Sequence, residues 1–115
     1  MKHDVVIIDY GMGNVGSINN MLRHIGFNAS VSGDLDEIMK APRLILSGVG
    51  AFDSAMNNIS RMGLLDALNT AVLSNRIPIL GICLGMQLFT QNSEEGRQPG
   101  LGWIEARTVR FNFEK

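Results

Sequence analysis

The stretch that most limits the fold is Ile79-Leu80-Gly81-Ile82-Cys83-Leu84-Gly85-Met86-Gln87. An apolar run leads into it, and a helix-compatible run, Met86-Gln87-Leu88-Phe89, leaves it. Gly81 and Gly85 stand two residues either side of Cys83, the chain's only cysteine. Gly-x-Cys-x-Gly is the nucleophile-elbow pattern with sulfur in place of the serine oxygen. The pattern calls for a strand, a tight strained turn and a helix, with small neighbours where backbone comes close. It pushes the side chain out at the carboxyl end of a sheet. A helix N-terminus aimed at the sulfur would favour thiolate over thiol. The plain alternative is a buried structural cysteine, a common fate of free Cys. Two symmetric glycines at a strand-to-helix switch favour the nucleophile.

The rest of the chain supplies the sheet that an elbow needs. Val5-Val6-Ile7-Ile8 is a continuous, β-branched run that reads as a buried parallel strand. Val15, Ile18, Met21, Leu22 and Ile25 then recur at helical spacing, and Gly26 stops that helix. Ala29-Ser30-Val31 is a weaker strand. Leu35, Ile38 and Met39 predict a short helix ended by Pro42. Leu44-Ile45-Leu46 is the third strand, breaking at Ser47-Gly48-Val49-Gly50. Asp53-Ser54 is placed to cap a helix through Met56 and Ile59. After Gly63, Leu64, Leu65, Leu68, Ala71 and Val72 share one helix face. Ile77 to Ile82 is the fourth strand, with Pro78 tolerable only near its start. The helix after Cys83 is expected to end near Asn92. Ser93 to Gly102 reads as a polar loop and Trp103 to Phe113 as a last extended segment. Four strand–helix alternations predict an open, mostly parallel α/β sheet with helices on both faces. Ligands of such sheets bind beyond the carboxyl ends of the strands. The glycine-bearing loops 11–16, 48–50 and 81–85 all fall there.

At 115 residues the chain is one domain at most. Its 45% hydrophobic and 18% charged residues fit a soluble globular protein. A formal net charge of -1, without a basic patch, argues against nucleic acid as a partner. One cysteine makes no internal disulfide, which predicts a reducing, cytoplasmic setting. No apolar run approaches a membrane span, and the N-terminus lacks the pattern of a signal peptide. No metal cluster and no cofactor are implied.

Gly11-Met12-Gly13-Asn14-Val15-Gly16 is a literal Gly-x-Gly-x-x-Gly that follows a strand and opens a helix. Asp34 lies where a ribose-binding carboxylate would be expected. This leaves open a non-catalytic nucleotide-binding module. Against it, Asp9 and Tyr10 separate the strand from the first glycine, and a carboxylate there would repel a pyrophosphate. The glycines also suit an ordinary tight turn.

A thiolate attacking an amide needs a base and donors for the oxyanion. The N–H of Leu84 is one natural donor. The N–H groups around Val49 and Gly50, one strand away, offer the second. With these in place, Gly81 to Gln87 resembles the nucleophile motif of the class I, triad-type glutamine amidotransferases. Asp9 to Asn14, Gly48-Val49-Gly50-Ala51-Phe52 and Ser93-Glu94-Glu95-Gly96 narrow the resemblance to the glutaminase subunits of imidazole glycerol phosphate synthases, in register to about Phe111.

The resemblance implies a flavodoxin-like sheet and hydrolysis of glutamine by a Cys-His-Glu triad. Ammonia would pass to a (β/α)8-barrel cyclase, the heterodimer partner, in histidine biosynthesis. Cys83 would be the nucleophile, with Val49, Gly50 and Leu84 forming the oxyanion hole. Gln87 and Glu95 would hold the substrate, Glu95 suiting its α-ammonium by charge. Tyr10, Gly11, Met12, Gly13 and Asn14 would face the cyclase. On the residues alone, Gln87 also reads as an exposed helix residue, and Glu94-Glu95 as a solvated loop pair. Similar subunits serve the amidation of surface sugars, which leaves the ammonia acceptor open.

Two departures matter. The family usually has proline where Ser47 stands, so the Val49 peptide is expected to reorient with different ease. The triad His and Glu should lie downstream of Cys83, but the only histidines are His3 and His24. Residues 1–115 are therefore expected to be the N-terminal part of a single glutamine amidotransferase domain, inactive by itself.

Overall fold

The computed structural model describes residues 3–112. Four parallel strands form one sheet in the order β2-β1-β3-β4: β1 (Val5–Ile8), β2 (Ala29–Ser32), β3 (Leu44–Gly48) and β4 (Ile79–Cys83). Helices α1 (Val15–His24), α2 (Leu35–Lys40), α3 (Phe52–Arg61) and α4 (Leu64–Asn69) connect them, α4 passing directly into a π-helical turn, Thr70–Ser74. A short α5 (Leu84–Leu88) follows β4, and two-residue strands β5 (Asn92–Ser93) and β6 (Arg107–Thr108) pair parallel beside it. This is the open, parallel α/β arrangement that the alternation of the sequence predicts.

Alternation of side chains along the strands divides the core in two. Val6, Ile8, Leu44 and Leu46 face α2, α3, α4 and α5, packing on Ile38, Ile59, Leu64, Leu68 and Leu88. Val5, Ile7 and Ile45 point the other way, against Leu22 of α1. Helices thus cover both faces, more fully on the first. β4 lies at the edge of the sheet, and its Leu80 is 57% exposed.

Several boundaries differ from expectation. β4 runs from Ile79 to Cys83 and not from Ile77 to Ile82, so Pro78 precedes the strand. β3 does not break at Ser47, because Ser47 and Gly48 pair in register with Ile82 and Cys83. α5 ends at Leu88 and not near Asn92, since Asn92 and Ser93 leave to pair with Arg107 and Thr108. Of the predicted extended segment from Trp103, only Arg107–Thr108 is strand, and Phe113 lies outside the described residues. Asp53 does not cap α3: Ala51 holds that position, and the Asp53 carboxylate is engaged elsewhere.

Candidate active site

β3 and β4 end side by side, Gly48 opposite Cys83, so the two loops that leave them share one edge of the sheet. Cys83 has φ 55° and ψ -122°. It is one of two non-glycine residues with positive φ among those described, Arg76 being the other. Such a conformation costs on the order of 1–3 kcal/mol and persists only where packing over-determines it. Here the packing is visible. A Cβ on Gly85 would drive into the Leu46 carbonyl and stand 3.1 Å from Ser47 Cα. A Cβ on Gly81 would stand 2.7 Å from Met86 Cα and from the Phe89 ring. The two glycines let α5 fold back against β3 and β4, and the turn between them leaves Cys83 exposed.

Leu84 opens α5, so its N–H has no partner from a preceding helical turn. α5 has only five residues, which limits the dipole expected to favour the thiolate. Val49 and Gly50 continue beyond β3 and are exposed, Gly50 at φ 115°. That conformation suits glycine and lets the peptide present its N–H without a side chain in the way.

Gln87 lies one helical turn beyond Cys83. Together with Ser93, Glu94, Glu95, Thr108, Val109 and Arg110 it lines a cleft of about 70 Å³. The structure therefore brings the two predicted substrate residues, Gln87 and Glu95, to one place. Glu95 donates its backbone N–H to Ser93 Oγ, and the Arg110 N–H donates to Glu94 Oε2. The Glu95–Arg110 pair, 4.0 Å apart and exposed on both sides, adds little to stability. Thr108 and Arg110 fall within the predicted extended segment, but nothing in the sequence pairs that segment with Asn92 and Ser93, so their place beside Gln87 and Glu95 is not predicted.

The predicted partner-facing stretch divides. Gly11 and Asn14 are exposed, and Met12 and Gly13 half-buried. Tyr10 turns inward and is fully buried, its hydroxyl donating to the Ser47 carbonyl at 2.5 Å. Burial pushes its phenol up to about 12. Asn58 Nδ2 donates to the Tyr10 carbonyl, fixing the loop from the α3 side. Ser47 Oγ is buried without a hydrogen-bond partner.

The nucleotide reading loses its physical basis in these contacts. The third glycine of the fingerprint serves close helix–strand packing, yet a Cβ on Gly16 would meet only open space. Gly13 instead lies against Ser47 and Gly48, and the Asp34 carboxylate caps α2 by accepting from the Glu37 N–H. The two histidines lie away from Cys83. His3 pairs with Asn28 at the amino ends of the strands, and His24 is exposed at the end of α1.

The family described as glutamine amidotransferase class-I matches residues 6–109. The chain belongs to this family. Among curated class-I amidotransferase relatives, it is 58% identical over 109 residues to imidazole glycerol phosphate synthase subunit HisH 2 of Methanococcus maripaludis, covering 95% of this chain and 54% of that one. It is 48% identical over 107 residues to subunit HisH 2 of Pseudomonas aeruginosa, covering 93% and 53%. It is 40% identical over 109 residues to subunit HisH of Leptospira interrogans, covering 95% and 53%. The chain spans about half the length of these relatives. A crystal structure of a glutamine amidotransferase superposes with a TM-score of 0.78 at 21% identity, over 96% of this chain and 58% of that one. That likeness establishes the fold as the flavodoxin-like sheet of class-I amidotransferases. Among the described residues, no helix is long and apolar enough to cross a membrane.

Proposed function

We propose that residues 1–115 are the nucleophile-bearing part of a glutaminase domain that hydrolyses glutamine and supplies ammonia to a (β/α)8-barrel cyclase making imidazole glycerol phosphate. The observation that carries this reading is the exposed, strained Cys83 beside a second loop with a positive-φ glycine. The relatives named as imidazole glycerol phosphate synthase subunits support the same assignment.

The Cys83 sulfur attacks the side-chain carbonyl carbon of glutamine. A C–S bond forms, and the carbonyl π pair moves onto oxygen. The N–H groups at Val49, Gly50 and Leu84 receive that oxyanion. Donors fixed in place before the reaction stabilise the charge without reorganising as it develops. The thiol proton passes to the triad histidine, which returns it to the amide nitrogen as the C–N bond breaks, so that ammonia leaves and a thioester remains. Water then attacks the thioester, releasing glutamate and restoring the thiol. Gln87 and Glu95 hold the substrate's amino-acid end, and the 11–14 loop faces the cyclase, which acts in the cytoplasm with this subunit. The histidine and glutamate of the triad belong to the part of the domain beyond this chain.

The test is glutamine-dependent ammonia release by the complete subunit with its cyclase. Cys83→Ala should abolish it, and a glutamine-like diazoketone, which alkylates a thiol with loss of dinitrogen, should add its mass less N2 to the peptide carrying Cys83. Residues 1–115 alone should release none. Undiminished turnover by Cys83→Ala would sink the assignment.

A further inference from the structure

α3 begins immediately after the Gly48–Ala51 loop, and its second residue reaches across to a different loop. Asp53 Oδ1 and Oδ2 each accept from the Arg97 N–H at 2.9 Å, and Oδ1 also accepts from the Gln98 N–H at 2.8 Å. These partners are 44 and 45 residues away in sequence. Gly96 lies so close to Asp53 Oδ1 that a Cβ there would strike it. Phe52, the preceding residue, is buried beneath the same loop, 3.3 Å from where a Cβ on Gly96 would stand and 3.1 Å from one on Gly100. The first turn of α3 therefore serves as the seat of the 93–98 loop. The backbone N–H groups of Gln98 and then Arg97 hold the Asp53 carboxyl below its ordinary range, so the seat is a charge-assisted one.

The two loops joined in this way hold opposite ends of one substrate. The Val49-Gly50 loop meets the side-chain amide, and Glu95, two residues before Arg97, meets the α-ammonium. We propose that Asp53 is a positioning residue that sets the distance between the oxyanion donors and the ammonium-binding carboxylate, and so selects glutamine by length and by its amino group. This inference rests on the reading of Glu95 as a substrate ligand. Asp53 touches no substrate; it acts through the Arg97 and Gln98 peptides. A salt bridge or a side-chain pair would leave those peptides free to swing, whereas three N–H···O bonds into the backbone fix the path of the loop itself.

The experiment uses the complete subunit assembled with its cyclase. It compares glutamine with 4-carbamoylbutanoate, which is glutamine without the amino group. In Asp53→Ala the KM for glutamine should rise about tenfold with kcat changed by less than about threefold, the pattern of lost uniform binding. The preference for glutamine over the deaminated substrate should fall by about the same factor, because that substrate makes no use of Glu95. Asp53→Asn keeps one acceptor oxygen and should lie between wild type and Asp53→Ala. A loop that is merely structural would lower thermal stability and leave the substrate preference unmoved. Glu95→Gln separates the two claims. If Glu95→Gln loses the preference while folded Asp53→Ala keeps both KM and preference, the inference about Asp53 is wrong. If Glu95→Gln keeps the preference, the reading of Glu95 fails, and the Asp53 inference falls with it. Should Asp53→Ala not fold, Asp53→Asn decides by the same two readouts.

Discussion

Removing the Tyr10 hydroxyl isolates one bond beneath the candidate site. Tyr10 is wholly buried, and its O–H donates to the carbonyl of Ser47, the residue that precedes Gly48 at the end of β3. Tyr10→Phe keeps the ring and deletes only the donor. The Ser47 carbonyl then loses a partner where water does not readily replace it. A buried acceptor left short in this way costs about 1–3 kcal/mol. With a urea m-value of about 2 kcal/mol per molar, the unfolding midpoint should fall by about 0.5–1.5 M. The m-value itself should not change, because the surface exposed on unfolding is the same. Equilibrium urea unfolding followed by far-UV circular dichroism makes the measurement. A midpoint within about 0.2 M of wild type would refute the reasoning, since the hydroxyl would then contribute nothing beyond what water supplies in the unfolded chain.

Three further outcomes follow from the same geometry. Gly85→Ala should destabilise by about 2 kcal/mol or more, because the new Cβ collides with β3 backbone at Leu46 that cannot move aside; thermal unfolding of the variant reads this, and a normal midpoint would show that α5 is free to shift. Ser47→Ala removes a buried hydroxyl that has no partner and should leave stability unchanged or raise it by up to about 1 kcal/mol, again by urea unfolding; a clear loss would reveal a partner for Ser47 Oγ. Tyr10 is the only tyrosine of this chain. Its phenol lies near 12 when folded against 10.0 ordinarily, so the stability from burying it neutral is intact below pH 10 and is lost as pH rises towards 12. Absorbance near 295 nm should report the phenolate of folded Tyr10 only above its ordinary range, and a folded-state midpoint at the ordinary value would contradict the burial.

The four-stranded sheet is legible in the sequence because β1, β3 and β4 are short, mainly apolar runs that lead into glycine-bearing loops, and the weaker Ala-Ser-Val-Ser of β2 stops at Gly33. The elbow is legible because the close approach of Gly81 and Gly85 admits no side chain, and that requirement is written at fixed spacing from Cys83. Tyr10 is legible only as part of a loop. Its inward turn depends on a carbonyl 37 residues away, and a backbone acceptor has no letter in the sequence. The Asp53 clamp is hidden for the same reason: its partners are N–H groups, which every residue but proline carries. Local sequence favours Asp53 as a helix cap, whereas its carboxylate is taken by a contact across 44 residues. β5 and β6 are two residues each, below the length at which alternation shows.

These hidden contacts divide the candidate oxyanion loop into a fixed and a free part. Ser47 is held at its carbonyl by Tyr10, and Gly48 is paired with Cys83 across the β3–β4 ladder. Beyond Ala51, α3 is anchored by buried Phe52 and by the Asp53 clamp. Between these anchors lie only the peptides around Val49 and Gly50, where both residues are exposed and Gly50 tolerates either sign of φ. The side chain that stands over Gly50 is Met12, its Cε 3.0 Å from where a Cβ would be, and Met12 belongs to the loop proposed to face the cyclase. A partner that displaces the 11–14 loop would therefore bear on Gly50 through Met12, while Tyr10, one residue before that loop, keeps the floor of the site still. Binding energy at the interface would then act on the peptides proposed to meet the oxyanion and add no strain to the strand ends that hold Cys83.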